Sequence, residues 1–244
     1  MQFDFSGKVA IVTGGNRGIG RAISEALLSH EAEALITGTH EDAPEWIAQY
    51  PRCQYAQLNF LDPNSVARFL STIEKRPQVD ILVNNAGMYI RNPIEVTADE
   101  DWQQMLAVNL TGPMQLIRVV APKMCAQKRG WILNTSSIAA FVARPGGAGY
   151  SVTKAGLLGL TRVAAMELAR EGVLVNALCP GVTQTDMVDR VLSPEQKEQF
   201  RRESALQRLA TPEEIANIAL FLVSSLNTYI TGQAIVADGG TIIQ

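Results

Sequence analysis

Apolar residues along the chain fall into short consecutive runs, separated by longer stretches in which they recur every three or four positions. Val9-Ala10-Ile11-Val12 and Ile81-Leu82-Val83 are the clearest runs. A strand that alternates apolar and polar residues has one wet face. A strand apolar at successive positions is covered on both, as in a parallel sheet clothed by helices. On this basis strands are predicted over 8–13, 34–38, 54–58, 80–84, 131–136, 173–178 and 233–237. Helix starts between them carry chemical marks. Asp62-Pro63 sets a carboxylate before a proline, and Thr97-Ala98-Asp99-Glu100 has the spacing of a capping box. Ser193-Pro194-Glu195-Gln196 and Thr211-Pro212-Glu213-Glu214 combine hydroxyl, proline and a back-reaching third residue. Two long helical segments are expected at 99–127 and 150–170. No linker, repeat or low-complexity stretch interrupts the alternation. The prediction is one α/β domain over 1–244, a doubly wound, seven-stranded parallel sheet with helices on both faces.

Composition narrows the function classes. With 47% hydrophobic and 18% charged residues in 244, the chain has material for a large core. A formal charge of −3, with no basic run longer than Lys128-Arg129 or Arg201-Arg202, argues against a nucleic-acid surface. Cys53, Cys125 and Cys179 are far apart, and His30 and His40 share no ligand spacing with them. Reduced, mostly buried thiols are expected rather than disulfides, and no metal site. No apolar run approaches the ~20 residues of a membrane span. The N-terminus lacks the basic start and apolar stretch of a signal peptide, so a soluble, cytoplasmic protein without a membrane partner is expected.

The first strand candidate runs into Thr13-Gly14-Gly15-Asn16-Arg17-Gly18-Ile19-Gly20 and then a helical stretch at 21–29. Glycines at 14, 18 and 20 let the backbone turn tightly and approach a pyrophosphate, whose charge a helix N-terminus stabilises. The position, at the head of a βαβ alternation, makes dinucleotide binding the expectation.

The spacing of this turn, three residues between the first two glycines, resembles the short-chain dehydrogenase/reductase family. Further segments follow in that family's order: Asn84-Asn85-Ala86-Gly87, Asn109 within Val108-Asn109-Leu110, Ser137, Tyr150 with Lys154, and Pro180-Gly181-Val182-Thr183-Gln184-Thr185. The likeness covers residues 5–240. It implies that Asn109, Ser137, Tyr150 and Lys154 are catalytic, Asn109 holding a water in a proton relay and Lys154 also contacting the nicotinamide ribose. It further implies that Gly14, Asn16, Arg17, Gly18, Ile19, Gly20, Thr39, Asn59, Phe60, Asn85, Ala86, Gly87, Tyr150, Lys154, Pro180, Gly181, Thr183 and Thr185 bind the cofactor. Asn59 and Phe60 are expected to flank the adenine, and Thr183 and Thr185 to meet the nicotinamide end. Thr183 departs mildly from the family, which usually has a branched aliphatic there. The residues themselves support this chemistry. Tyr150 and Lys154, four apart, share a helix face, and an ammonium near a phenol favours the phenolate, tuning it toward working pH. A tyrosine so placed exchanges a proton with a carbonyl or alcohol oxygen while hydride moves at the nicotinamide.

Eighteen residues beyond Gly20 stands Gly38, where NAD-specific sites place a carboxylate for the ribose 2′-hydroxyl. Arg17 and Thr39, with His40 near, suit a 2′-phosphate instead, so NADP(H) is favoured over NAD(H). The charged, apolar-studded stretch 186–209 reads as a helical lid over the substrate. Its wording, with Tyr229-Ile230-Thr231-Gly232 and Asp238-Gly239-Gly240, resembles 3-oxoacyl-(acyl-carrier-protein) reductases, and is also spread across sugar, steroid and small-alcohol dehydrogenases. The expected function is interconversion of a carbonyl and a secondary alcohol on a 3-oxoacyl thioester or small ketone. A non-catalytic nucleotide sensor is the alternative class, which the four-residue set disfavours. An acyl carrier protein remains open as a partner: Lys128 and Arg129 suit its acidic helix, and Glu171 has the wrong sign. The family resemblance also implies pairing through the two long helices and the last strand, giving a homotetramer, or a homodimer.

Overall fold

The computed structural model describes residues 3–243. Seven strands, β1 (Val9–Val12), β2 (Glu33–Gly38), β3 (Cys53–Gln57), β4 (Ile81–Asn84), β5 (Gly130–Thr135), β6 (Val173–Pro180) and β7 (Ala234–Ala237), form one sheet. All neighbours are parallel, in the order β3-β2-β1-β4-β5-β6-β7. Each strand lies within two residues of its sequence-based bounds. The order reverses between β1 and β4, and a doubly wound sheet opens a crevice at that point, beyond the strands' C-terminal ends.

Consecutive apolar residues send alternate side chains to opposite faces. Ala10, Val12, Ile36 and Val83 pack with α1 (Gly18–Ser29) and α8 (Pro212–Leu222), through Ile23, Leu27, Ile215 and Ala219. Ile11, Leu35, Leu82 and Ile132 face the other way, against α2 (Pro63–Glu74), α4 (Gly112–Ala126) and α5 (Ala148–Leu168). Two dry layers therefore sandwich the sheet, which is what the unalternating runs require.

Three of the four helix-start marks operate. Asp62 caps α2 by accepting Asn64 N–H at 2.9 Å, and reciprocal capping boxes open α7 (Pro194–Glu203) at Ser193 and α8 at Thr211. The box expected at Thr97 does not form. Its hydroxyl donates to Pro93 O at 3.0 Å, closing the 3-10 turn Ile94–Val96, so Ala98 occupies the cap of α3 (Asp99–Leu106) without a side-chain bond. Asp99, Glu100 and Asp101 in the first turn offset the helix dipole there instead. The segment expected as one helix at 99–127 is broken by a π-helical turn, Ala107–Thr111, between α3 and α4. Of the three thiols only Cys179 is buried; Cys53 and Cys125 are part-exposed on the periphery.

Candidate active site

The turn after β1 is shaped by close approach rather than by looseness. Gly14 and Gly18 adopt φ of +60° and +54°, the left-handed region where a side chain strains the backbone. A Cβ on Gly20 would stand 2.2 Å from Gly14 O and 2.4 Å from Asn85 Nδ2, so α1 is seated directly on the turn. Thr13 organises the floor: its Oγ1 accepts the Asn85 and Ala86 N–H groups, each at 3.0 Å. Asn85 Nδ2 donates back to Thr13 O and Gly14 O, and Thr37 Oγ1 accepts Gly14 N–H. These contacts bring Gly14, Asn85, Ala86 and Gly87 to one wall of a cleft of about 810 Å³, which the π turn borders at Val108.

At the cleft's outer end lie Asn16, Arg17, Gly38, Thr39, His40, Asn59 and Phe60. Arg17 and Thr39 are exposed, while Glu41 and Asp42 do not line the cleft. The space beside Gly38 is taken: a Cβ there would meet Tyr55 Oη at 2.7 Å and the Asn16 side chain at 2.9 Å. Phe60 packs edge-on beneath Gly112, and Asn59 Oδ1 accepts Leu61 N–H at 3.0 Å. The glycine cradle, the exposed cation and the absence of a carboxylate at the strand's end fit a dinucleotide bearing a 2′-phosphate.

The inner end is built by β5, β6 and α5. Ser137 follows β5, Tyr150 and Lys154 stand on α5, and Asn109 sits in the π turn. Ser136 Oγ donates to Lys154 O at 2.8 Å, Lys154 Nζ to Thr135 O at 2.7 Å, and Asn134 Nδ2 to Thr161 Oγ1 at 2.9 Å. Three bonds thus lock the helix to the strand. Ser137 Oγ accepts Ala139 N–H at 3.1 Å, and the Ser137 side chain pulls on the Tyr150 hydroxyl in the direction that lowers its pKa. Asn109 is fully buried; its amide brackets Met88, accepting its N–H and donating to its O at 2.9 Å each, and reaches Thr153 Oγ1 at 3.1 Å. Gly87 keeps room between them: a Cβ there would lie 3.5 Å from both Asn109 Oδ1 and Lys154 Nζ.

The electrostatics differ from the sequence-based expectation. Burial pushes the Tyr150 hydroxyl up to about 12, outweighing the opposite pull of the Ser137 hydrogen bond. Burial also pushes Lys154 down to about 8. The ammonium, bonded to Thr135 O and 5.6 Å from the ring centroid, does not offset the burial of Tyr150 as expected. The protein alone therefore keeps Tyr150 as a neutral phenol with a proton to give.

Pro180, Gly181, Thr183 and Thr185 line the far wall. Thr183 is buried and donates to Gly181 O at 3.1 Å; Thr185 Oγ1 caps α6 (Asp186–Val191) by accepting Val188 N–H at 3.4 Å. Helices α6 and α7 also border the cleft, contributing Met187, Val188 and Phe200. Several residues here were not singled out from sequence. Thr13 and Thr37 hold the turn. Trp46 donates to Asn16 O at 3.2 Å beneath Arg21, whose guanidinium carbon is 5.2 Å from the indole centroid. Tyr89, with its ring 4.8 Å from that of Tyr150, and Arg91 and Arg144 line the cleft too. Thr13 was legible as the residue ahead of the glycines, and Thr37 lies on β2; Tyr89, Arg91 and Arg144 reach the cleft through loop packing that no periodicity reports.

Comparison with known proteins agrees with this geometry. Residues 14–241 match the family model described as enoyl-(acyl carrier protein) reductase. The 3-oxoacyl-[acyl-carrier-protein] reductase of Aquifex aeolicus is 40% identical, over 98% of this chain and 99% of its own. A solved structure described as a putative NAD(P)-dependent gluconate 5-dehydrogenase from Beutenbergia cavernae, with bound NADP, superposes with a TM-score of 0.94 at 32% identity, covering 99% of both chains. Another, described as a short chain dehydrogenase/reductase family protein, gives 0.90 at 33% identity, over 99% of this chain and 100% of the other. The chain belongs to the short-chain dehydrogenase/reductase family.

Proposed function

We propose that this protein is an NADP(H)-dependent reductase of small ketones or 3-oxoacyl groups, working without an obligatory carrier protein. The observation that carries the reading is that Ser137, Tyr150 and Lys154 line one cleft with the glycine turn, with Lys154 Nζ over the Tyr150 ring, 5.6 Å from its centroid. The bound nicotinamide supplies the hydride. Ser137 holds the substrate's carbonyl oxygen, and Tyr150 O–H gives it the proton that completes the alcohol. Lys154, fixed through Thr135 O, orients the ribose, and Asn109 holds the relay water. Arg17 and Thr39 bind the 2′-phosphate; Thr183 and Thr185 meet the nicotinamide end, and α6 with α7 forms the lid over residues 186–209.

The basic patch that would meet an acidic carrier is neutralised. Lys128 is ion-paired to Glu171, and Arg129 to the fully buried Asp80 at 2.8 Å. The related gluconate 5-dehydrogenase favours a second reading, a polyhydroxy acid as the alcohol partner. No helix among the described residues is long and apolar enough to cross a membrane. Assembly follows from exposed apolar side chains on two separate faces, Val163 and Met166 of α5 (56% and 84% exposed) and Val236 of β7 with Ile243 (38% and 83%). Two self-complementary faces build a homotetramer.

Tyr150→Phe is expected to leave folding and NADPH binding intact and to cut turnover at least ~100-fold, the scale of a lost general acid. Unchanged turnover in the folded variant would remove Tyr150 from the mechanism. NADPH is expected to give a higher kcat/KM than NADH. Because a side chain at 38 would need the Tyr55 hydroxyl and the Asn16 side chain to shift, the substitution chosen to reverse the preference is Thr39→Asp, with a carboxylate against the 2′-phosphate. A wild-type preference for NADH would overturn the assignment. A small 3-oxoacyl thioester or ketone should be reduced about as well as the carrier-bound form. A carrier-bound advantage above ~100-fold in kcat/KM, about 2.7 kcal/mol, would contradict carrier independence. Light scattering at micromolar concentration should give a tetrameric mass, with a monomeric mass excluding both faces as interfaces.

A further inference from the structure

The chain carries a net charge of −3, yet the cleft is cationic. Arg17, Arg91, Arg144, Lys154 and Arg190 line it against Asp186, the one carboxylate among the described lining residues. Most of these cations have employment. Arg17 stands at the 2′-phosphate end, and Lys154 is bonded to Thr135 O. Arg190 donates to Asp186 O at 3.1 Å. Arg144 grips Glu203 of the lid helix α7 and lies over Phe200, 5.0 Å from its centroid; Gln199 donates to the same carboxylate at 2.8 Å. Arg91 differs. Among the described residues its guanidinium has neither an ion-pair partner nor a hydrogen bond.

The position of Arg91 is built in. Asn92 N–H donates to Gly146 O at 3.1 Å, stitching the segment after β4 to the segment before α5. Gly146 has φ +80°, and a Cβ there would fall 2.9 Å from Arg91 Cγ, so the glycine leaves the path along which the arginine lies. Tyr89 neighbours both Arg91 and the reacting group. Its ring is 4.8 Å from that of Tyr150, and the Arg91 charge acts on its hydroxyl, opposing the upward push of burial. Arg91, exposed to solvent and without a partner among the described residues, therefore lines the cleft beside Tyr89, whose ring lies against that of the proton donor.

Such a cation attracts a planar, bidentate anion, and the neighbouring Arg144–Glu203 pair shows what a carboxylate does in this cleft. We infer that the substrate is a small keto acid, reduced to the hydroxy acid, whose free carboxylate is bound by Arg91 with the Tyr89 hydroxyl alongside. This rests on the ketone-reductase reading above and names its substrate class. A neutral ketone leaves the arginine unused. A carrier-tethered acyl group has its nearest charge, a phosphodiester, many bonds beyond this distance.

The test is the ratio of kcat/KM for a keto acid to that for its methyl ester, measured with NADPH. The pairs are 3-oxobutanoate, 4-oxopentanoate, 5-oxohexanoate and a polyhydroxylated six-carbon 5-oxo acid, each against its ester. At least one acid should exceed its ester by tenfold or more. Arg91→Ala should bring that ratio to within about threefold of unity, mainly by raising KM for the acid. Arg91→Lys, which keeps the charge and loses the fork, should give an intermediate ratio. Esters equal to or better than acids at every length would overturn the inference. So would an Arg91→Ala protein with an undiminished ratio, or a phosphorylated ketone outperforming every acid. If a 3-oxoacyl thioester is reduced and no keto acid is, the keto-acid assignment falls and the reductase reading stands. If no carbonyl compound is turned over, both fall.

Discussion

Everything the cleft can do depends on the register of α5 against β5. Lys154 Nζ to Thr135 O, Ser136 Oγ to Lys154 O, and Asn134 Nδ2 to Thr161 Oγ1 form a buried polar seam between helix and strand. In a dry layer each such group left without its partner costs more than the bond itself contributes, so the seam tolerates no sliding. That rigidity sets Ser137, on the strand's exit, against Tyr150, on the helix. Asn84 extends it sideways by donating to Asn134 Oδ1 at 2.8 Å, which ties β4 and hence the Asn85-Ala86-Gly87 wall to the same frame. Cofactor wall and proton donor are two ends of one polar seam.

The fold was legible because its physics is periodic. Runs such as Ile81-Leu82-Val83 need cover on both faces, and the two packed layers supply it. Ser193 and Thr211 cap as spaced, since nothing upstream competes for their hydroxyls. Thr97 fails for a reason that the four-residue pattern does not contain: the 3-10 turn before it claims the hydroxyl first. The candidate site was legible where it is carried by short motifs, and less so where it depends on direction. Spacing placed Tyr150 and Lys154 on one face, but the ammonium is taken up by Thr135 O at the end of β5 and burial dominates, so the sign of the Tyr150 shift came out opposite. Tyr89, Arg91 and Arg144 reach the cleft from loops, and their approach is decided by contacts distant in sequence.

Charge divides the molecule in a way that its total conceals. Lys128 and Arg129 look like a basic patch in the sequence, yet each is paired, one with Glu171 and one with buried Asp80. Inside the cleft positive charge accumulates, with one facing carboxylate among the described lining residues. A low-dielectric cleft of one sign concentrates ligands of the other, so the selection of anionic ligands begins before contact.

The π turn at Ala107–Thr111 has a consequence for how such chains are compared. Its closing bond runs from Gly112 N–H to Ala107 O, one residue longer than in an α-helix. The extra residue advances the helix by about 100°. The faces of α3 and α4 are therefore out of phase: Met105 packs against Gly149 beside the cleft, while Leu116 and Val120 address the sheet. A gap placed here in an alignment is a rotation in space, and it exchanges which side chain fills the position of Asn109. Relatives that keep the count of residues across this turn keep its direction, and those that lose one present a different neighbour to Lys154, however similar the flanking letters remain.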